Sequence, residues 1–120
     1  MIGHLTTHVL DTTHGKPASH LAIELWRIDA AHEQRTRLKT VWTTITGRPE
    51  QALLLGEEMQ AGIYELDFSV GAYFAALGVV TTVPPFLDIV PIRFGLADVQ
   101  AHYHVPLLIS PWAYSTYRGS

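Results

Sequence analysis

Hydrophobic side chains recur at every second position through most of this 120-residue chain, and each run that keeps the period is short. Leu5, Thr7 and Val9 alternate with Thr6, His8 and Leu10; Leu21, Ile23 and Leu25 alternate with His20, Glu24 and Trp26. Tyr64, Leu66 and Phe68 alternate with Glu65 and Asp67, and Val90, Ile92, Phe94 and Leu96 share one side of a later run in which Pro91 marks an edge or a bulge. Successive side chains of a strand point to opposite faces, so a two-residue period describes half-buried strands and excludes a bundle of helices. Between the runs lie Asp11 to Pro17, Asp29 to His32, Gly47-Arg48-Pro49, Pro84-Pro85 and Ser110-Pro111, each rich in residues that break pairing.

A further strand is expected from Arg35 to Thr46, with Arg48 projecting from its end, and two more from His102 to Ile109 and Trp112 to Arg118. One short helix is expected after Ser69, which would cap it, carrying Tyr73, Phe74 and Leu77 and closed by Gly78. Roughly six to eight short strands with turn signals between them predict an all-β sandwich in a single domain over residues 1–120.

Composition narrows the chemistry. Without cysteine there is no disulfide framework, no thiol nucleophile and no thiolate metal site, and a reducing compartment suits the chain. A net charge of -3 with no cluster of Lys and Arg argues against a nucleic-acid partner. The longest apolar run, Ala72 to Val80, falls well short of the about 18 residues of a membrane span, and Met1 to His8 lacks the pattern of a secretory signal. A cytoplasmic location is expected. Seven histidines, whose pKa lies near neutrality, make acid–base work or metal binding the chemistry to consider.

His102 and His104 share one face of their strand, while Tyr103, Val105, Leu107 and Ile109 line the other. Such a pair supplies two imidazoles to a metal, but Val105 to Ser110 contains no carboxylate and no third ligand is evident, so neither a metal nor another cofactor is expected. Ser110 and Ser115 stand outside Gly-x-Ser-x-Gly, which makes a serine nucleophile improbable. Taken singly, His8, Arg48 and Tyr117 would each pass for ordinary surface side chains.

Together they read differently. Leu5-Thr-Thr-His8-Val-Leu-Asp11, Gly15-Lys-Pro-Ala18, Gly47-Arg48, His102-Tyr-His104-Val-Pro-Leu-Leu108, Ser110-Pro111 and Tyr114-Ser-Thr-Tyr117-Arg-Gly-Ser120 resemble, in the same order, the transthyretin-like 5-hydroxyisourate hydrolases. The resemblance is looser at Thr44-Ile-Thr-Gly-Arg48, where that family carries an Asn-x-Asp-Gly-Arg-like approach, and at Phe86 to Ile92. It implies a transthyretin-like β-sandwich of two four-stranded sheets with one short helix, assembled as a homotetramer with active sites in the channel between dimers. It also implies hydrolysis of the lactam bond of 5-hydroxyisourate, with His8, Arg48 and His104 as catalytic residues and His8, Arg48, Tyr117 and Ser120 holding the substrate. Which histidine is the base stays open, and no cofactor is implied. The His-x-His pair and the closing Tyr-Arg-Gly-Ser set the chain apart from the hormone carrier of that fold, so a small-molecule carrier without catalysis is the second reading.

Overall fold

The computed structural model describes residues 2–120. Its strands are β1 (His4–Asp11), β2 (Lys16–Pro17), β3 (Ala22–Asp29), β4 (Gln34–Trp42), β5 (Leu54–Leu55), β6 (Gly62–Ser69), β7 (Ile89–Leu96), β8 (His102–Ile109) and β9 (Tyr114–Thr116), with one α-helix, α1 (Val70–Ala76). They form the two sheets of a sandwich. One follows the path β2-β1-β8-β9, with the two-residue β5 sharing the outer edge of β1; the other runs β4-β3-β6-β7. β7 is thus an edge strand, which explains how Pro91 is accommodated there.

The period of two decides what goes inside. Leu5, Val9, Tyr103, Val105, Leu107 and Ile109 from the first sheet meet Ile23, Leu25, Tyr64, Leu66, Phe68, Val90 and Leu96 from the second, all buried. Each fully buried aliphatic or aromatic side chain stabilises the fold by about 1.5–3 kcal/mol. The alternate residues of β1 and β8 are left on the far side of their sheet, and these include His4, Thr6, His8, His102 and His104. β1 and β8 run parallel with His4 beside His102, Thr6 beside His104 and His8 beside Pro106. One pairing register therefore collects four histidines on one surface.

A polar pin ties the sandwich to its helix. Asp11 ends β1 facing inward, and its buried carboxylate accepts hydrogen bonds from the Tyr73 hydroxyl of α1 (2.8 Å), from Nδ1 of His14 (2.6 Å) and from the backbone N–H groups of Thr13 and His14 (2.9 and 3.0 Å). Burial alone would raise the pKa of this carboxyl; the bonds from His14 and Tyr73 outweigh it and hold the group below the usual carboxylate range. Removing a donor from a buried carboxylate is costly, so Tyr73→Phe is expected to destabilise the fold by about 1–3 kcal/mol. Urea melts read this directly, and an unchanged midpoint would show that the pin carries no load.

Three expectations from the sequence need correction. The strand expected to reach Thr46 ends at Trp42, because the Thr43 side chain turns inward, where its hydroxyl donates to the Ala18 carbonyl (2.7 Å) and accepts from the Leu21 N–H (2.9 Å). Arg48 accordingly stands in a turn and not at a strand end. Ser69 occupies the N-cap position of α1, but its hydroxyl makes no capping bond, since its backbone still pairs with Ile89 as the last residue of β6. The final strand is only Tyr114–Thr116: Trp112 and Ala113 belong to a turn whose N–H groups donate to Ser110 Oγ, and beyond Thr116 the chain curls back across β8.

Candidate active site

The curl places the closing tetrapeptide over the histidines. Gly119 N–H donates to the His104 carbonyl (2.8 Å), and Arg118 lays its guanidinium over the Tyr103 ring at 4.2 Å. His102, His104, Tyr117, Arg118, Gly119 and Ser120 together line an open depression of about 640 Å³. His104, Tyr117 and Ser120, three of the residues expected in a site, are thereby brought into one wall.

Gly119 sits where almost nothing else fits. A Cβ there would lie 2.7 Å from His104 Cδ2 and 3.3 Å from its Cγ, at the root of the ring where rotation gives little relief. Gly119→Ala is therefore expected to displace the imidazole and to lower kcat by about tenfold to a hundredfold, since misplacing a positioned group by an ångström can cost that much. Thermal melting should barely move. A fully active Gly119→Ala protein would show that the ring position is not critical.

His8 and Arg48 do not line the depression, but they adjoin it on the same chain. His8 faces outward from β1, one alternate position beyond Thr6, and its Nε2–H donates to the Thr46 carbonyl (2.9 Å). Burial and the Arg48 guanidinium hold its pKa below the ordinary value, against the bond to Thr46, which raises it. His104 is held low by burial first, then by Arg48, His102 and His8. Arg48 thus acts on both imidazoles and favours their neutral, proton-accepting forms. Among the described residues its side chain is bound in no ion pair, which leaves a forked cation for an anion or a developing oxyanion.

The turn carrying Arg48 is built from hydroxyls. Thr44 N–H donates to the Arg48 carbonyl (2.8 Å), as does the Thr44 hydroxyl (2.9 Å), while Arg48 N–H donates to Thr46 Oγ1 (3.3 Å). Gly47 has φ +79°, and a Cβ on it would lie 2.5 Å from the Val9 carbonyl oxygen, so the turn packs directly onto β1. Thr44 and Thr46 supply the side-chain bonds that Asn and Asp often make in such turns.

Nothing in the alternation pattern marked Thr6, His4 or Gly119 as parts of the site. Thr6 Oγ1 lies 2.8 Å from both His102 Nε2 and His104 Nδ1, and His4 stacks on His102 with ring centroids 3.9 Å apart. The shared face of Thr6 and His8 was the available signal, but the partners of Thr6 lie 96 and 98 residues away in sequence. Among the described residues no group of three or more His, Asp or Glu side chains is placed to hold a metal ion.

Two sheets of this order, with imidazoles held below the ordinary pKa and a forked cation on the outer face of one, define a transthyretin-like sandwich. Residues 5–119 match the HIUase/Transthyretin family, and the chain belongs to that family. It is 60% identical over 119 residues to the 5-hydroxyisourate hydrolase of Ralstonia nicotianae, covering 99% of this chain and 100% of that protein. The crystal structure of an (S)-allantoin synthase superposes with a TM-score of 0.92 at 45% identity over 99% of this chain, which spans 44% of that longer protein. Transthyretin from Sparus aurata superposes with a TM-score of 0.84 at 28% identity, covering 96% of this chain and 95% of that one.

Proposed function

We propose that this chain is a hydroxyisourate hydrolase that opens the lactam ring of 5-hydroxyisourate to 2-oxo-4-hydroxy-4-carboxy-5-ureidoimidazoline. Relatives 50–60% identical over nearly its whole length carry the name 5-hydroxyisourate hydrolase, which supports an enzyme of that kind. The observation that carries the mechanism is the Arg48 guanidinium close enough to His8 and His104 to help burial hold both below the ordinary histidine pKa.

Cleavage of the lactam forms a carbon–oxygen bond, breaks the carbon–nitrogen bond and moves one proton from water to the departing nitrogen. His104 is assigned as the base: its Nδ1 is occupied by Thr6, and Nε2 is the nitrogen left for a water molecule. His8 has committed its Nε2–H to Thr46, which fixes the ring and leaves Nδ1 for orienting the water or the departing nitrogen. As the carbonyl becomes tetrahedral its oxygen gains charge, and Arg48 stabilises it. The His104 imidazolium then returns the proton to nitrogen. Tyr117 and Ser120, on the wall of the depression, hold polar edges of the ring. General acid–base catalysis of this kind contributes about 10²- to 10⁴-fold, and the oxyanion partner about 10²-fold or more.

Among the described residues no helix is long and apolar enough to cross a membrane. The proposed location is the cytoplasm. A homotetramer is proposed as the working assembly. Trp112, Tyr114 and Tyr117 stand exposed at the β9 side, and a second copy facing this sheet would close the open depression around His104. Light scattering tests the assembly; a monomer at micromolar concentration would overturn it.

One assay tests the reaction. Freshly prepared 5-hydroxyisourate should lose its ultraviolet absorbance faster with the protein than without, and equally fast after EDTA. No acceleration would favour a carrier without catalysis, and loss of activity on chelation would require a metal.

A further inference from the structure

A single hydroxyl stands between two imidazole nitrogens at hydrogen-bonding distance from both: Thr6 Oγ1 is 2.8 Å from His102 Nε2 and 2.8 Å from His104 Nδ1. A hydroxyl has one proton to give and two lone pairs to accept with, and Thr6 Oγ1 has no other partner among the described residues; accepting from both rings would leave its proton unbonded, so bonds of opposite polarity are favoured. Either His104 Nδ1–H donates to Thr6, which donates to a bare His102 Nε2, or His102 Nε2–H donates to Thr6, which donates to a bare His104 Nδ1. In the first arrangement a neutral His104 has no proton on Nε2 and can accept one from water. In the second, a neutral His104 carries its proton on Nε2 and cannot.

We propose that Thr6 biases the tautomer of His104 according to the protonation of His102, so that a bare His104 Nε2 facing the depression is favoured while His102 Nε2 carries no proton and disfavoured once it carries one. Thr6 is then a positioning residue, and His102 an acid-sensitive gate on the base. The inference rests on His104 being the base proposed above.

The surroundings favour the open setting of that gate. His4 lies flat on His102, with ring centroids 3.9 Å apart and planes 13° from parallel, so a charge on one ring is opposed by charge on the other. Burial, then His4, hold His102 below the ordinary histidine pKa. The remaining charged or titratable groups facing this cluster are His8 on β1, Arg48 in its turn, and Tyr117 and Arg118 in the curl after β9. Of these, the Arg48 guanidinium opposes protonation of His8 and His104. All three hydrogen-bonded side chains are part-buried, which keeps bulk water from replacing the Thr6 bridge.

The test reads imidazole tautomers as well as rate. In protein labelled with ¹⁵N-histidine, nitrogen shifts of His104 should report a proton on Nδ1 at pH 8 and its transfer to Nε2 as His102 titrates. A His104 tautomer that ignores the titration of His102 overturns the proposal. Thr6→Val keeps the shape of the side chain and removes the hydroxyl; it should uncouple the two titrations and lower kcat about tenfold or more with KM within about twofold. Thr6→Ser should restore both coupling and rate. Coupled titrations that persist in folded Thr6→Val would equally overturn it. The tautomer measurement needs no substrate, so a wild-type protein that leaves 5-hydroxyisourate untouched would sink the hydrolase reading while the gate is judged on its own evidence.

Discussion

Replacement of His104 by alanine is expected to lower kcat for 5-hydroxyisourate by about 10²- to 10⁴-fold while leaving the fold intact. The loss follows from removing the imidazole proposed to take the water proton at its Nε2. The fold survives because what His104 contributes to architecture is mostly main chain: its backbone pairs β8 with β1, and its carbonyl accepts from Gly119. The side chain stands on the outer face and fills no part of the core. Circular dichroism and the melting midpoint should therefore match the wild type. A folded His104→Ala protein with near wild-type turnover would end the assignment of His104 as base.

Arg48→Ala should produce a second large loss, about 10²- to 10³-fold in kcat, of the size seen when an oxyanion partner is removed. This variant carries a signature that simple damage would not. The Arg48 charge helps hold His8 and His104 below the ordinary histidine range, so its removal lets both rise. A base must be unprotonated to act, and a higher pKa means that protonation begins at a higher pH. The acid limb of the rate profile should therefore move upward, and the variant should lose more at pH 6 than at pH 8. Arg48→Lys should retain that electrostatic effect but recover only part of the rate, because a point charge replaces a planar fork. An Arg48→Ala profile parallel to wild type across this range would show that the guanidinium does not act on the histidines.

The parts legible in the sequence were those governed by the pleat. The bounds of β8, the division of its faces, and the outward direction of His8, His102 and His104 all follow from alternation, and the structure reproduces them. Gly47-Arg48-Pro49 read correctly as a break, but where it begins was not legible: threonine is β-branched and reads as strand, whereas Thr44 and Thr46 use their hydroxyls to fold the chain back. Tyr117 was assigned to a strand for a related reason: aromatic residues favour strands, but the ladder to β8 ends at Thr116 and Gly119 makes a separate bridge to His104. The family resemblance named the candidate residues, and the structure adds how they sit: Arg48 acts on both His8 and His104, Thr6 is hydrogen-bonded to His104, and Gly119 packs against its ring.

The parallel pairing of β1 with β8 also sets the order in which this protein can come into being. Thr6 leaves the ribosome well before its partners, since the histidines it bonds lie 96 and 98 residues further along the chain. Until then the inner strand of one sheet has no central neighbour, and its backbone donors and acceptors are an unpaired edge open to other chains. Closing so long a loop is entropically slow, and sheets of such non-local contacts fold more slowly than helical domains. The same register that gathers the histidines therefore delays their meeting until β8 has been made, so a nascent chain stalled before β8 lacks that histidine face and carries an exposed, aggregation-prone strand instead.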